Sequence, residues 1–203
     1  MMIKNIIFDC GRVLIKFNPI EIVSRILPEI KEKSLLSKEI FETEVWQLLD
    51  KRVISKEEAY KTICSRLPNN LHEHCKIILD NWYNELDEIP DTLKLMKDLK
   101  NKNYNIYILS NFNCDFYKEI DNLGIKDILS GQIVSSEEKY LKPDKEIYLK
   151  LFEKYNLNPS ECYFIDDREE NIEAGKKLEM DGFVFKDNVE ELKSDLINKG
   201  VNI

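Results

Sequence analysis

Asp9 closes the run Ile6-Ile7-Phe8-Asp9, Ser110 and Asn111 follow Tyr107-Ile108-Leu109, Lys142 precedes Pro143 and Asp144, and Asp166 and Asp167 are adjacent. A carboxylate, a hydroxyl, an ammonium and a carboxylate pair are thus available for chemistry. Phosphoryl transfer needs such a set. Hard oxygen ligands hold Mg²⁺, donors hold the phosphate oxygens, a cation offsets developing charge, and a nucleophile lies in line with the leaving oxygen. An aspartate serves as the covalent nucleophile when the phosphoryl group passes through an aspartyl-phosphate that water hydrolyses. Each group alone has a plainer reading, as turn former, helix cap, solvated lysine or acidic first turn of a helix. Their order along the chain carries the argument.

Bringing these groups to one rim requires a particular architecture. Residues 3–8 form a short apolar run that ends abruptly at Asp9, as a buried parallel strand ends at a loop. Beyond Asn18-Pro19, apolar residues recur at helical spacing to about Asn84: Ile20, Val23, Ile26 and Leu27, then Phe41, Val45, Leu48 and Leu49. Ser55-Lys-Glu-Glu58 has the form of a capping box, and Leu67-Pro68-Asn69-Asn70 reads as a break between helices. From Pro90 the pattern alternates. Helices are expected at 91–101, 113–121, 144–155, 168–178 and 188–198, and strands at 104–110, 131–134, 162–165 and 182–185. This predicts an α/β fold, a Rossmann-like open parallel sheet with helices on both faces. Residues 1–16 and 86–203 would form the core domain and 17–85 an inserted helical bundle. Ligands of such sheets lie outside the carboxyl ends of the strands, where all the reactive groups fall, Lys142 at the end of a loop.

Composition narrows the partners. The chain has 203 residues, 43% of them hydrophobic, and a formal net charge of −8, so neither nucleic acid nor an anionic membrane is an expected partner. No apolar run approaches the roughly 20 residues of a membrane helix, and the first residues lack a small-residue cleavage site, so a cytoplasmic location is expected. Five scattered cysteines without a C-x-x-C pair imply reduced thiols. His72 and His74 lie beside Cys75, but side chains two apart on a helix diverge, which favours solvated residues over a metal site. Nothing in the patterning specifies an oligomeric state.

The sequence resembles the haloacid dehalogenase superfamily, whose four motifs occur in order: Ile7-Phe8-Asp9-Cys10-Gly11-Arg12-Val13-Leu14, Tyr107-Ile108-Leu109-Ser110-Asn111, Lys142-Pro143-Asp144, and Phe164-Ile165-Asp166-Asp167-Arg168-Glu169-Glu170-Asn171. The helical block after the first motif is similar to the cap of the C1-capped subgroup. The resemblance implies that Asp9 attacks phosphorus and binds Mg²⁺, with the backbone carbonyl of Gly11 as a further ligand. Asp167 would be the main second carboxylate ligand, and Asp166 would ligate directly or through water. Ser110 would donate to a phosphate oxygen with Asn111 beside it, and Lys142 would pair with the phosphate and with Asp9. The expected activity is Mg²⁺-dependent hydrolysis of a small phosphate monoester.

Three positions depart from the family pattern: Gly11, Lys139, and Arg12, which replaces the small residue common there. Most of its phosphatases carry a second aspartate two residues after the nucleophile, which protonates the leaving alcohol and then activates water. Gly11 stands there instead. A branch resembling bacterial α-D-glucose-1-phosphate phosphatases shares this glycine, and the anomeric leaving group of a sugar 1-phosphate needs less help from an acid. A preference for good leaving groups is therefore expected. Lys139 replaces a usual glycine, which makes a positive φ costly there and leaves Lys139 as the alternative to Lys142. Arg12 is placed to reach substrate or cap, or to lie on the surface, and Glu44, Trp46 and Gln47 are cap residues available to face the site. The competing readings are a 2-haloacid dehalogenase and a phosphate-binding pseudoenzyme that lost its acid at Gly11. Adjacent carboxylates would repel a haloacid unless a metal neutralised them, which favours phosphatase chemistry. A receiver domain uses similar groups, but its acidic pair follows the first strand and no helical block interrupts it.

Overall fold

The computed structural model describes residues 2–203. Strand β1 (Asn5–Phe8) is followed by the two-residue β2 (Ile15–Lys16). Five helices come next: α1 (Pro19–Ile26), α2 (Lys33–Phe41), α3 (Glu44–Asp50), α4 (Lys56–Cys64) and α5 (His72–Asn81). The chain returns through β3 (Asp87–Glu88), which pairs antiparallel with β2, Ile15 opposite Glu88. Then follow α6 (Pro90–Asn101), β4 (Asn105–Ser110), α7 (Phe116–Leu123), β5 (Gly131–Val134), α8 (Ser135–Glu138) and α9 (Lys145–Tyr155). The chain finishes with β6 (Cys162–Asp166), α10 (Glu169–Lys176), β7 (Asp181–Val184) and α11 (Val189–Asn198).

Five strands form one parallel sheet in the order β5-β4-β1-β6-β7. The whole of β1 is buried, as a central parallel strand must be when both faces are covered. Alternation along the strands divides the core. Ile6, Phe8, Ile106, Ile108 and Ile165 face one side, where they pack with Leu93, Met96 and Leu99 of α6 and Leu192 and Leu196 of α11. Ile7, Tyr107, Leu109, Ile133 and Phe164 face the other, against Ile147, Tyr148 and Leu151 of α9 and Ile172 of α10. The parallel sheet with helices on both faces is thus as expected from the alternating pattern.

Register within the sheet positions the chemistry. Phe8 lies opposite Ile108 on one side and Ile165 on the other, so Asp9, Ser110 and Asp166 emerge near one edge of the sheet. Local signals hold in the insertion as well. The Ser55 hydroxyl accepts the Glu58 N–H at 3.2 Å and the Ser55 N–H donates to Glu58 Oε2 at 2.8 Å, so the capping box forms, and the break near Pro68 becomes a short 3₁₀ turn.

Some boundaries differ from the sequence expectation. The helix expected from 113 starts at Phe116, because Asn113 Oδ1 accepts the Asp115 N–H at 2.9 Å and its backbone carbonyl the Phe116 N–H, a side-chain turn that delays the helix. The helix expected over 168–178 spans only Glu169–Lys176, with Glu179 turning at φ 67°. The segment before Lys142, read as loop, contains the one-turn α8.

Candidate active site

The end of β1 hands Asp9 to a buried position, 8% exposed, beneath the helical insertion. Its Oδ1 accepts the Cys10 N–H at 2.7 Å and the Lys142 ammonium at 2.8 Å. The ammonium also reaches Asp166 Oδ2 at 2.7 Å, so one buried lysine bridges two strand-end carboxylates. Asp166 is fully buried and its other oxygen accepts from the Arg168 N–H and the Asn171 amide, each at 2.9 Å. Three of its roughly four lone-pair directions are therefore occupied. Asp167, beside it, is half-open and meets Arg12 Nη1 at 3.6 Å.

The two candidate lysines lie in different surroundings. Lys142 Nζ sits between the carboxylates, whereas Lys139 Nζ points away to the Ser136 and Arg52 carbonyls at 2.8 and 3.2 Å. Lys139 does take the left-handed conformation, φ 67°, that the family's glycine would adopt. The expected cost of that conformation is met in part by the two hydrogen bonds of its ammonium.

Asn111 lines the cavity beside the loop that carries Lys142. Its amide donates to the Lys142 carbonyl at 3.0 Å and accepts the Lys142 N–H at 2.8 Å. Both ends are committed to the loop that carries the lysine. Ser110 behaves oppositely: it is 1% exposed and its hydroxyl has no hydrogen-bond partner among the described residues, a costly state for a buried polar group unless a ligand oxygen completes it.

Ligand atoms of Asp9, Asp166 and Asp167 lie within 4.8 Å of one another. Three carboxylates face one buried ammonium, with Arg12 at the margin, so the pocket floor has an excess of negative charge. Burial pushes the Asp9 carboxyl up to about 7 although Lys142 opposes it, and Asp166 and Asp167 add repulsion. Burial and Asp166 likewise raise Asp167, while Arg12 and Lys142 oppose. For Lys142, burial disfavours the charge, but Asp166 and Asp9 outweigh it and hold its pKa above the ordinary value. All-oxygen donors with surplus negative charge suit a hard divalent cation such as Mg²⁺.

Above this floor opens a cavity of about 660 Å³, bounded by the insertion. Phe17, Phe41, Trp46, Trp82 and Phe112 line it with mutually packed rings, Trp46 and Trp82 meeting edge-on at 5.0 Å. Gln47 also lines it. Glu44, read as available to face the site, is an exposed helix residue outside the cavity. Arg12, at φ 57°, is exposed, donates from its Nε to the Phe17 carbonyl at 3.2 Å and borders the cavity. His72 and His74 bond back to the Leu67 and Asn70 carbonyls, both at 3.2 Å. Sequence reasoning missed Asp50, a buried acid lining the cavity from α3, and named neither Phe41 nor Trp82 as a lining residue.

A family model described as haloacid dehalogenase-like hydrolase matches residues 3–178. The chain is similar to the D-ribitol-5-phosphate phosphatase of Bacteroides thetaiotaomicron, with 26% identity over 191 residues, 90% of this chain and 91% of that protein. It is 27% identical over 159 residues to the chloroplast flavin mononucleotide hydrolase 1 of Arabidopsis thaliana, 78% of this chain but only 63% of that longer protein. A crystal structure of a family enzyme from Bacteroides thetaiotaomicron, in complex with magnesium and inorganic phosphate, aligns with a TM-score of 0.69 at 25% identity, covering 92% of this chain and 96% of that one.

Proposed function

The chain belongs to the haloacid dehalogenase-like hydrolases, and from that premise we propose that it is a Mg²⁺-dependent phosphatase that forms an aspartyl-phosphate on Asp9. One observation carries the reading: a buried carboxylate gripped by Lys142, and at the end of the neighbouring strand a buried serine hydroxyl that has no partner among the described residues. Asp9 attacks phosphorus, Ser110 donates to a phosphate oxygen, and Lys142 holds Asp9 and offsets charge on the phosphate. Asn111 positions Lys142. Water then hydrolyses the acyl phosphate and frees Asp9.

Asp9, Asp167 and the Gly11 carbonyl would hold Mg²⁺, and Asp166, with three hydrogen bonds already in place, would act mainly through water. The ion would neutralise the surplus carboxylate charge and the phosphate oxygens. The segment 17–85 serves as the cap over the substrate. A cavity of about 660 Å³ takes a small organic phosphate, and its aromatic walls with Gln47, Thr43 and Lys51 suit the mixed surface of a sugar or polyol phosphate, a sugar 1-phosphate among them. The similarity to a ribitol-5-phosphate phosphatase points to the same class.

The test is hydrolysis of 4-nitrophenyl phosphate, glucose 1-phosphate and glucose 6-phosphate by wild type and Asp9→Asn. Turnover should require Mg²⁺, stop with EDTA and vanish in Asp9→Asn. Activity that survives either treatment contradicts the proposal.

A further inference from the structure

Gly11 leaves the leaving oxygen without the proton donor that a second aspartate would supply. Among the buried acids outside the lysine-bridged group, one lines the cavity. Glu119 is buried but does not line the cavity, and Asp115 is compensated by Lys56 and Lys118, both at 3.0 Å. Asp50 differs from both. It is 8% exposed, it lines the same cavity as Asp9, and its carboxyl has no hydrogen-bond or ion-pair partner among the described residues.

Its placement is fixed from the core. Ser135 Oγ donates to the Asp50 carbonyl at 2.7 Å and itself accepts the Phe112 N–H at 2.9 Å. Lys139 Nζ donates to the Arg52 carbonyl at 3.2 Å, and Lys51 approaches Asp144 at 3.8 Å. The end of α3 is therefore tied to the segment after β4, which follows Ser110 directly, and to the segment after β5, which leads to Lys142. An unpaired buried carboxylate is costly, and a negative charge at the last residue of a helix opposes the helix dipole. Both effects favour the neutral acid. Burial accordingly raises the Asp50 pKa well above its ordinary value, and the nearby Asp9 charge raises it further.

We propose that Asp50 is the catalytic acid and base of this enzyme, supplied by the helical insertion in place of a residue at position 11. The inference rests on the phosphatase reading above and adds a proton path to it. In the first step Asp9 Oδ bonds to phosphorus and the P–O bond to the alcohol breaks. The electron pair goes to the leaving oxygen, which takes the Asp50 proton, giving the free alcohol and an Asp50 carboxylate. In the second step that carboxylate takes a proton from water as the water oxygen bonds to phosphorus. The bond from phosphorus to Asp9 breaks, its electron pair returns to Asp9, and Asp50 is again the neutral acid. The preference for good leaving groups expected from Gly11 is thereby removed.

Four measurements test this. In wild type with Mg²⁺, kcat/KM should depend only weakly on leaving-group basicity across aryl and alkyl phosphates, and a steep dependence would overturn the proposal. In Asp50→Asn the ratio of alkyl to aryl kcat/KM should fall by about 10²–10⁴-fold. The variant should release a stoichiometric burst of 4-nitrophenol before slow turnover, because water activation is lost too. A Cβ added at Gly11 meets nothing within 4 Å, so Asp50→Asn combined with Gly11→Asp should regain alkyl phosphatase activity. An unchanged ratio without a burst in Asp50→Asn sinks this inference alone if Asp9→Asn is inactive. Turnover in Asp9→Asn would instead sink the phosphatase reading beneath it.

Discussion

Lys142 is the residue on which the site's electrostatics turn. Its side chain is 1% exposed and touches Asp9 and Asp166 at 2.8 and 2.7 Å. Desolvating such a group is expensive, and removing the one cation strands two buried carboxylates. Lys142→Met should lower the stability of the metal-free protein by about 3–5 kcal/mol near neutral pH, measured by urea unfolding. A loss within the ordinary scatter of surface substitutions, about 0.5 kcal/mol, would contradict the triad as drawn. At this scale the placement of Asp9, Ser110, Lys142, Asp166 and Asp167 near one another was legible in the sequence because each lies at the end of an apolar run or just before a proline. The bonds of Asn111 to the Lys142 backbone were not legible, since an amide after a strand looks the same whether it meets a ligand or a neighbouring loop. Asp50 was invisible for a related reason. Among Glu42, Glu44 and Lys51 it reads as one more surface charge, and only the docking of α3 on Ser135 buries it.

The strands and the capped helices were recovered at the scale of elements, because their signals are local. Alternation of Ile6, Ile7 and Phe8 between two cores follows from the pleat, and the capping box at Ser55 from side chains three residues apart. What escaped depended on partners far along the chain. The short α8 closes with Lys139 at positive φ, a conformation supported by the Arg52 carbonyl 87 residues away. The two-stranded ribbon of β2 and β3, where the helical insertion leaves and rejoins the sheet, joins residues about as distant, and neither two-residue strand has a pattern long enough to read. Non-local pairing of this kind leaves no periodicity in the sequence.

For the whole molecule, the governing feature is a core that accumulates negative charge at one place. The folded pKa values of Asp9, Asp50 and Asp167 all lie above the ordinary 3.8, that of Asp9 at about 7. Between those values the folded chain holds protons that the unfolded chain has released, so the metal-free protein loses stability as pH rises from about 4 through 7. Mg²⁺ competes with these protons, and its stabilising effect should grow over the same window. Urea midpoints with EDTA and with Mg²⁺ at about pH 5.5 and pH 8 would show this as a larger Mg²⁺ shift at the higher pH. Equal shifts would mean that the carboxylates are not where the ion binds.

The most direct measurement is to quench wild-type enzyme in acid during turnover of a phosphate ester, digest it, and locate the phosphoryl group by mass spectrometry. A hydroxylamine-labile phosphoryl group should appear on the peptide that contains Asp9, and only when Mg²⁺ is present. A phosphoryl group on any other residue, or its formation without a divalent cation, would contradict the account.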